Sequence, residues 1–125
     1  MKQAIALPFL ALIGACVGTA LPEPIAEGMP AALGETVQVG SLLATPRRLV
    51  EDSRCPYDVQ CIQAGRLVVS TQLDGEGWNE TVPLTLGEPY AVQGTTVTLV
   101  SGRPEKWSER RRPRNEYRFI FEGGA

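Results

Sequence analysis

The chain has 125 residues, with 12 Lys and Arg against 14 Asp and Glu, for a net charge of −2. That length fits one domain, and the near balance of charge excludes overall polyelectrolyte character. It contains no His, which removes the commonest general base, the commonest metal ligand and the usual pH switch together.

The N-terminus opens Met1-Lys2-Gln3 and runs apolar from Ala4 to Ala15. A short basic start, an apolar run and small residues at its end predict a secretory signal peptide. The run is too short to span a bilayer, which takes about 20 apolar residues, and Pro8 inside it works against a stable membrane helix. Two cleavage sites compete. Ile13-Gly14-Ala15-Cys16 resembles the lipobox of bacterial lipoproteins, in which the Cys becomes the lipid-modified first residue of the mature chain. Gly18-Thr19-Ala20 instead suits an ordinary signal peptidase and would release a soluble periplasmic protein. The lipoprotein reading is preferred: signal peptide over 1–15, lipidation at Cys16. Val17 follows Cys16 in place of the Asp that resembles an inner-membrane retention signal, so the expected location is the outer membrane, facing the periplasm.

Residues 16–33 read as a tether, because Pro22, Pro24 and Pro30 crowd a stretch otherwise rich in Ala, Gly and Glu. The domain itself is expected over 34–125. Strands are predicted by period-two alternation at Thr36–Val39, Arg47–Glu51, Arg66–Asp74, Trp78–Leu84, Pro89–Val92, Thr95–Ser101 and Asn115–Glu122. Leu67, Val69, Thr71 and Leu73 share a face, and so do Tyr117, Phe119 and Phe121. Asp74-Gly75-Glu76-Gly77 supplies a hairpin turn between the third and fourth strands; it is too short for an EF-hand calcium loop. The fold class is therefore all-β: a small antiparallel sandwich or partly open barrel of about six or seven strands.

Three Cys are present. Lipidation uses Cys16 and ordinary cleavage discards it, so either route leaves Cys55 and Cys61 as the pair for a disulfide in an oxidising compartment. Closing so small a loop contributes about 2 kcal/mol on the chain-entropy model, so its main effect is to fix local shape. The rival reading, a metal or redox pair, lacks both the C-x-x-C spacing and a further ligand.

The run Glu51-Asp52-Ser53-Arg54-Cys55-Pro56-Tyr57-Asp58-Val59-Gln60-Cys61-Ile62-Gln63-Ala64-Gly65 resembles a signature of uncharacterised small secreted bacterial proteins and lipoproteins. They share an acidic-Ser-Arg-Cys-Pro start, a second Cys six residues on and an Ala-Gly before a strand. A Trp usually stands there where this chain has Gln63. The resemblance implies export and a β fold and carries no activity. Physically, Pro56 holds Cys55 extended, Asp58 can cap the turn, and Asp52 with Arg54 suits an ion pair or a backbone clamp. Two readings stay open: a rigid charged loop of Asp52, Arg54, Tyr57 and Asp58 that touches a partner, or a structural corner that satisfies its own backbone.

Basic residues concentrate late, at Arg103, Lys106, Arg110, Arg111, Arg112, Arg114 and Arg118. Arg110, Arg111, Arg112 and Arg114 are the candidate contact to an anionic surface such as lipid phosphates or an acidic protein, with Trp107 suited to a lipid interface. The alternative is a solvated loop kept irregular by Pro104 and Pro113. A Ser-His-Asp or Cys-His centre is impossible without His; a carboxylate pair is formally available from Glu51, Asp52, Asp58 and Asp74, but acidic residues this common identify no site. The expectation is a non-enzymatic envelope-binding or accessory protein, held to the membrane by its lipid, using no cofactor, metal or nucleic acid. The alternatives are a carboxylate- or metal-dependent hydrolase and a purely structural lipoprotein.

Overall fold

The computed structural model describes residues 23–56, 58–104 and 113–124. The signal peptide, Cys16, the first part of the expected tether, Tyr57, Lys106, Trp107 and Arg110, Arg111 and Arg112 lie outside the described residues.

Seven strands follow in chain order: β1 Val37–Val39, β2 Leu42–Asp52, β3 Leu67–Gly75, β4 Trp78–Thr85, β5 Pro89–Val92, β6 Thr95–Arg103 and β7 Arg118–Gly124. They form two antiparallel sheets, ordered β1-β2-β3-β4 and β5-β6-β7. The sheets pack as a sandwich, without barrel closure, and β1 lies against β7 and β4 against β6. The core follows the period of two: Leu67, Val69, Thr71 and Leu73 from one sheet meet Val97, Leu99, Phe119 and Phe121 from the other, all with essentially no exposed surface. The Tyr117 ring stacks on Phe119, with centroids 6.0 Å apart.

The predicted strands correspond to observed ones, except that Asn115 and Glu116 lie in a 3-10 turn and the last strand begins at Arg118; two further departures are informative. β2 begins at Leu42, well before the expected Arg47. Its first half, Leu42-Leu43-Ala44-Thr45-Pro46, is buried at four of five positions, so no alternation announces it. Pro46 also argues against a strand, yet it sits just beyond the β1 pairing, where the Gly34 N–H donates to its carbonyl at 2.7 Å. Register shifts follow in β2 between Pro46 and Arg48 and between Leu49 and Glu51, and in β6 between Leu99 and Ser101. Such bulges turn one extra residue outward, which accounts for the exposure of Val50 and Val100.

The second departure concerns the tether. Residues 25–33 are part of the domain. Ile25 bridges Val37 in the parallel sense and Ala31 bridges Phe119 in the antiparallel sense. The Ala31 and Phe119 N–H groups donate to each other's carbonyls at 2.8 Å, and the Glu27 carboxylate accepts the Gly123 N–H at 2.7 Å. This segment thus covers the outer edges of β1 and β7 and joins the two sheets. Pro24 and Pro30 flank the bridged residues, where a missing N–H costs no ladder bond.

Antiparallel pairing sorts the connections to two ends. The β1–β2, β3–β4 and β5–β6 turns lie at one end. The β2–β3 loop lies at the other, beside Pro104 and Tyr117, which flank the β6–β7 connection.

Candidate functional site

The β2–β3 loop is closed by the Cys55–Cys61 disulfide, with Cα atoms 5.8 Å apart. Its base is fixed by backbone and side chain together. The Ser53 N–H donates to the Arg66 carbonyl at 2.8 Å, and the Arg66 N–H returns a bond to Ser53 Oγ at 3.0 Å. Gly65 passes directly beside this pair: a Cβ there would lie 1.5 Å from the Ser53 carbonyl oxygen. No other residue fits that approach.

Arg54 then ties the loop to the opposite sheet. Its guanidinium forks the Asp52 carboxylate, Nε to Oδ1 at 2.8 Å and Nη2 to Oδ2 at 3.0 Å. The same group donates through Nη1 to the Gly102 carbonyl at 2.7 Å and through Nη2 to the Pro104 carbonyl at 3.0 Å. The Tyr117 hydroxyl donates to Asp52 Oδ2 at 2.6 Å. One planar fork therefore serves a carboxylate from β2 and two carbonyls from the end of β6, a geometry that suits Arg and not Lys. The side chains are largely hidden, Asp52 at 8% and Arg54 at 16% exposure. Gly102 makes room for this closeness, since a Cβ there would lie 2.1 Å from Leu67 Cδ2.

Electrostatics follow from the contacts. Burial pushes the Asp52 carboxyl up, but the hydrogen bonds from Arg54 and Tyr117 and the Arg54 charge outweigh it, leaving the group below its ordinary value. Its bond to Asp52 raises Arg54 against the opposing effect of burial. Burial, then the hydrogen bond to Asp52 and that carboxylate's charge, push Tyr117 up to about 12.

The candidate contact loop therefore divides in two. Asp52 and Arg54 form an internal clamp, the backbone-satisfying alternative for this pair. Asp58 stands exposed on the disulfide loop. Val59 and Ile62 are exposed beside it, Ile62 completely so. Sequence reasoning did not single out Ile62, although its place directly after Cys61, outside every predicted strand, was a usable signal. Arg114 belongs to one exposed turn of 3-10 helix, Arg114–Glu116.

The carboxylates do not converge. Glu51 pairs with Arg66 on the surface, Asp52 is held in the clamp, and Asp74 accepts from Gln72 Nε2 at 3.1 and 3.2 Å. Among the described residues no group of three or more His, Cys, Asp or Glu is placed to hold a metal ion.

Fold and site together define a two-sheet antiparallel β-sandwich with a clamped, disulfide-closed loop at one end. No family model, curated protein or solved structure matches the chain.

Proposed function

We propose that this chain is exported, carries lipid on Cys16, and works as a non-enzymatic binding or accessory module of the bacterial envelope, with the disulfide loop as its contact element. One observation supports the reading. The largely hidden Asp52 and Arg54 side chains clamp the start of the loop to both sheets, while residues 58–66 are all exposed and include the fully exposed Ile62. A rigid frame that presents an apolar side chain to solvent lowers the ordering cost of docking. The exposed Arg114, on the 3-10 turn before Tyr117, is the described member of the candidate anionic-surface contact.

Mass spectrometry of the native N-terminus tests the first half: a mature chain starting at a lipid-modified Cys16 is expected, and retention of Met1 overturns it. The second half is tested by photo-crosslinking from the exposed neighbouring position 63 in intact cells, in the parent and in an Ile62→Asp form. A discrete crosslinked adduct that Ile62→Asp abolishes is expected. An identical pattern in both forms removes the loop from the contact surface.

A further inference from the structure

The opposite end of the sandwich carries a second feature. Three two-residue turns lie there: Gly40-Ser41 between Val39 and Leu42, Glu76-Gly77 between Gly75 and Trp78, and Gln93-Gly94 between Val92 and Thr95. They enclose an open cleft of about 450 Å³ lined by Ser41, Leu42, Glu76, Trp78 and Gln93. That volume falls within the range of small-molecule clefts, about 300–1,000 Å³.

The chemistry of the lining is selective. Trp78 is half-buried and packs against the core, with its indole lying over Gly75, where a Cβ would meet Nε1 at 2.2 Å. The ring is thus held in place by backbone and core. Around it stand an amide, a carboxylate and a hydroxyl, all exposed. Among the described residues no side-chain hydrogen bond or ion pair occupies Ser41, Glu76, Trp78 or Gln93. The lining contains no basic residue, so nothing there would neutralise an anionic ligand.

Gln93 adds an independent observation. It adopts φ 48°, the only non-Gly residue with positive φ among those described, and Gly94 follows at φ 75°. A turn with both central residues in this region favours Asn, Asp or Gly at the first position. A Gln there accepts backbone strain that those residues would avoid, and such strain gathers where a side chain is needed for recognition.

We propose that this cleft is a saccharide-binding subsite for uncharged sugar residues, built from the Trp78 ring with Glu76, Gln93 and Ser41. A pyranose offers an apolar C–H face, which suits an immobilised aromatic ring. Its hydroxyls both donate and accept, which matches a carboxylate, an amide and a serine hydroxyl. The cleft is open on one side, so it accommodates one or two units of a longer chain. It lies at the end away from the disulfide loop and does not depend on it.

The test uses the mature chain with Trp107→Phe, which leaves Trp78 as the only one of the two Trp. Cellotriose, maltotriose and triacetylchitotriose are titrated while the single indole N–H resonance is followed by NMR. A saturable shift with at least one of them is expected. Gln93→Gly suits the backbone at this turn and so preserves the fold, while it deletes the amide. It should weaken binding about tenfold, the effect of one hydrogen bond, with thermal stability unchanged or raised. Glu76→Ala should act similarly, and Ile62→Asp should leave binding untouched. The inference is overturned if none of the three sugars shifts the indole signal at its solubility limit. It is equally overturned if Gln93→Gly and Glu76→Ala both bind like the parent.

Discussion

Removal of the Arg54 guanidinium should be among the most damaging single changes available to this domain. In Arg54→Ala the Asp52 carboxylate loses two charge-assisted bonds, and the Gly102 and Pro104 carbonyls lose their donors. Breaking a buried ion pair from one side costs about 3–5 kcal/mol, because the surviving charge is left uncompensated. Here the Tyr117 hydroxyl stays on Asp52 and Arg54 is 16% exposed, so water reaches the gap. Both facts place the cost at the low end, about 3 kcal/mol. A domain of this size has about 5–15 kcal/mol in total, and the melting temperature should fall by about 12–24 °C. The assay is urea unfolding with the disulfide intact, for Arg54→Ala, Asp52→Ala and the double variant. The double variant should lose clearly less than the sum of the singles, since each removes the other's partner. A loss below about 1 kcal/mol for Arg54→Ala, the scale of an exposed pair, would refute the clamp. So would additivity in the cycle.

The same network predicts a pH dependence with two limbs. Tyr117, pushed up to about 12 from 10.0, contributes stability that is complete below pH 10 and is lost as pH rises through 12; comparison with Tyr117→Phe should isolate that alkaline loss, and parallel curves for the two proteins would contradict it. Asp52 is lowered, so its contribution is complete above the ordinary carboxylate pKa of about 3.9 and is lost as pH falls through its folded value; Asp52→Asn should flatten the acid limb. Gly65→Ala places a Cβ 1.5 Å from the Ser53 carbonyl oxygen and should cost about 3 kcal/mol, the upper end for overpacking; a thermal melt that matches the parent would show that the loop base does not have this geometry. Cys61→Ser should cost only about 2 kcal/mol and leave the sandwich folded, because the clamp and Ser53 hold the loop base without the sulfurs; collapse of near-ultraviolet dichroism in that variant would show otherwise.

What could be read from the sequence was whatever repeats locally. Val37 and Val39, Leu67 through Leu73, and Phe119 with Phe121 alternate cleanly because each strand has one face on a single core. The first half of β2 was illegible because Leu42, Ala44, Thr45 and Pro46 are all buried, which erases the alternation. Residues 25–33 were misread as a tether because their structure consists of isolated bridges to β1 and β7, and pairing at such separation leaves no local pattern. The candidate site shows the same limit. The Asp52–Arg54 pair was legible at a spacing of two. Its partners Gly102, Pro104 and Tyr117 lie some fifty or more residues away, and no spacing rule reaches that far. The Trp78 cleft was equally hidden, since its lining comes from three separate turns.

The residues that make the loop sequence distinctive are mostly those with structural work to do. Ser53 binds Arg66, Arg54 binds the far sheet, Gly65 clears the Ser53 carbonyl, and the two Cys close the loop. Each is constrained by a neighbour within the protein, so its identity reports how the corner folds. Between them, Val59 and Ile62 turn apolar side chains to solvent, Ile62 completely so. Under the proposed function, recognition at this end rests on exposed side chains such as Ile62, which takes no part in the clamp. Changes there should alter what is bound while stability stays within about 0.5 kcal/mol, whereas changes at Ser53, Arg54 or Gly65 should abolish binding only by unfolding the loop.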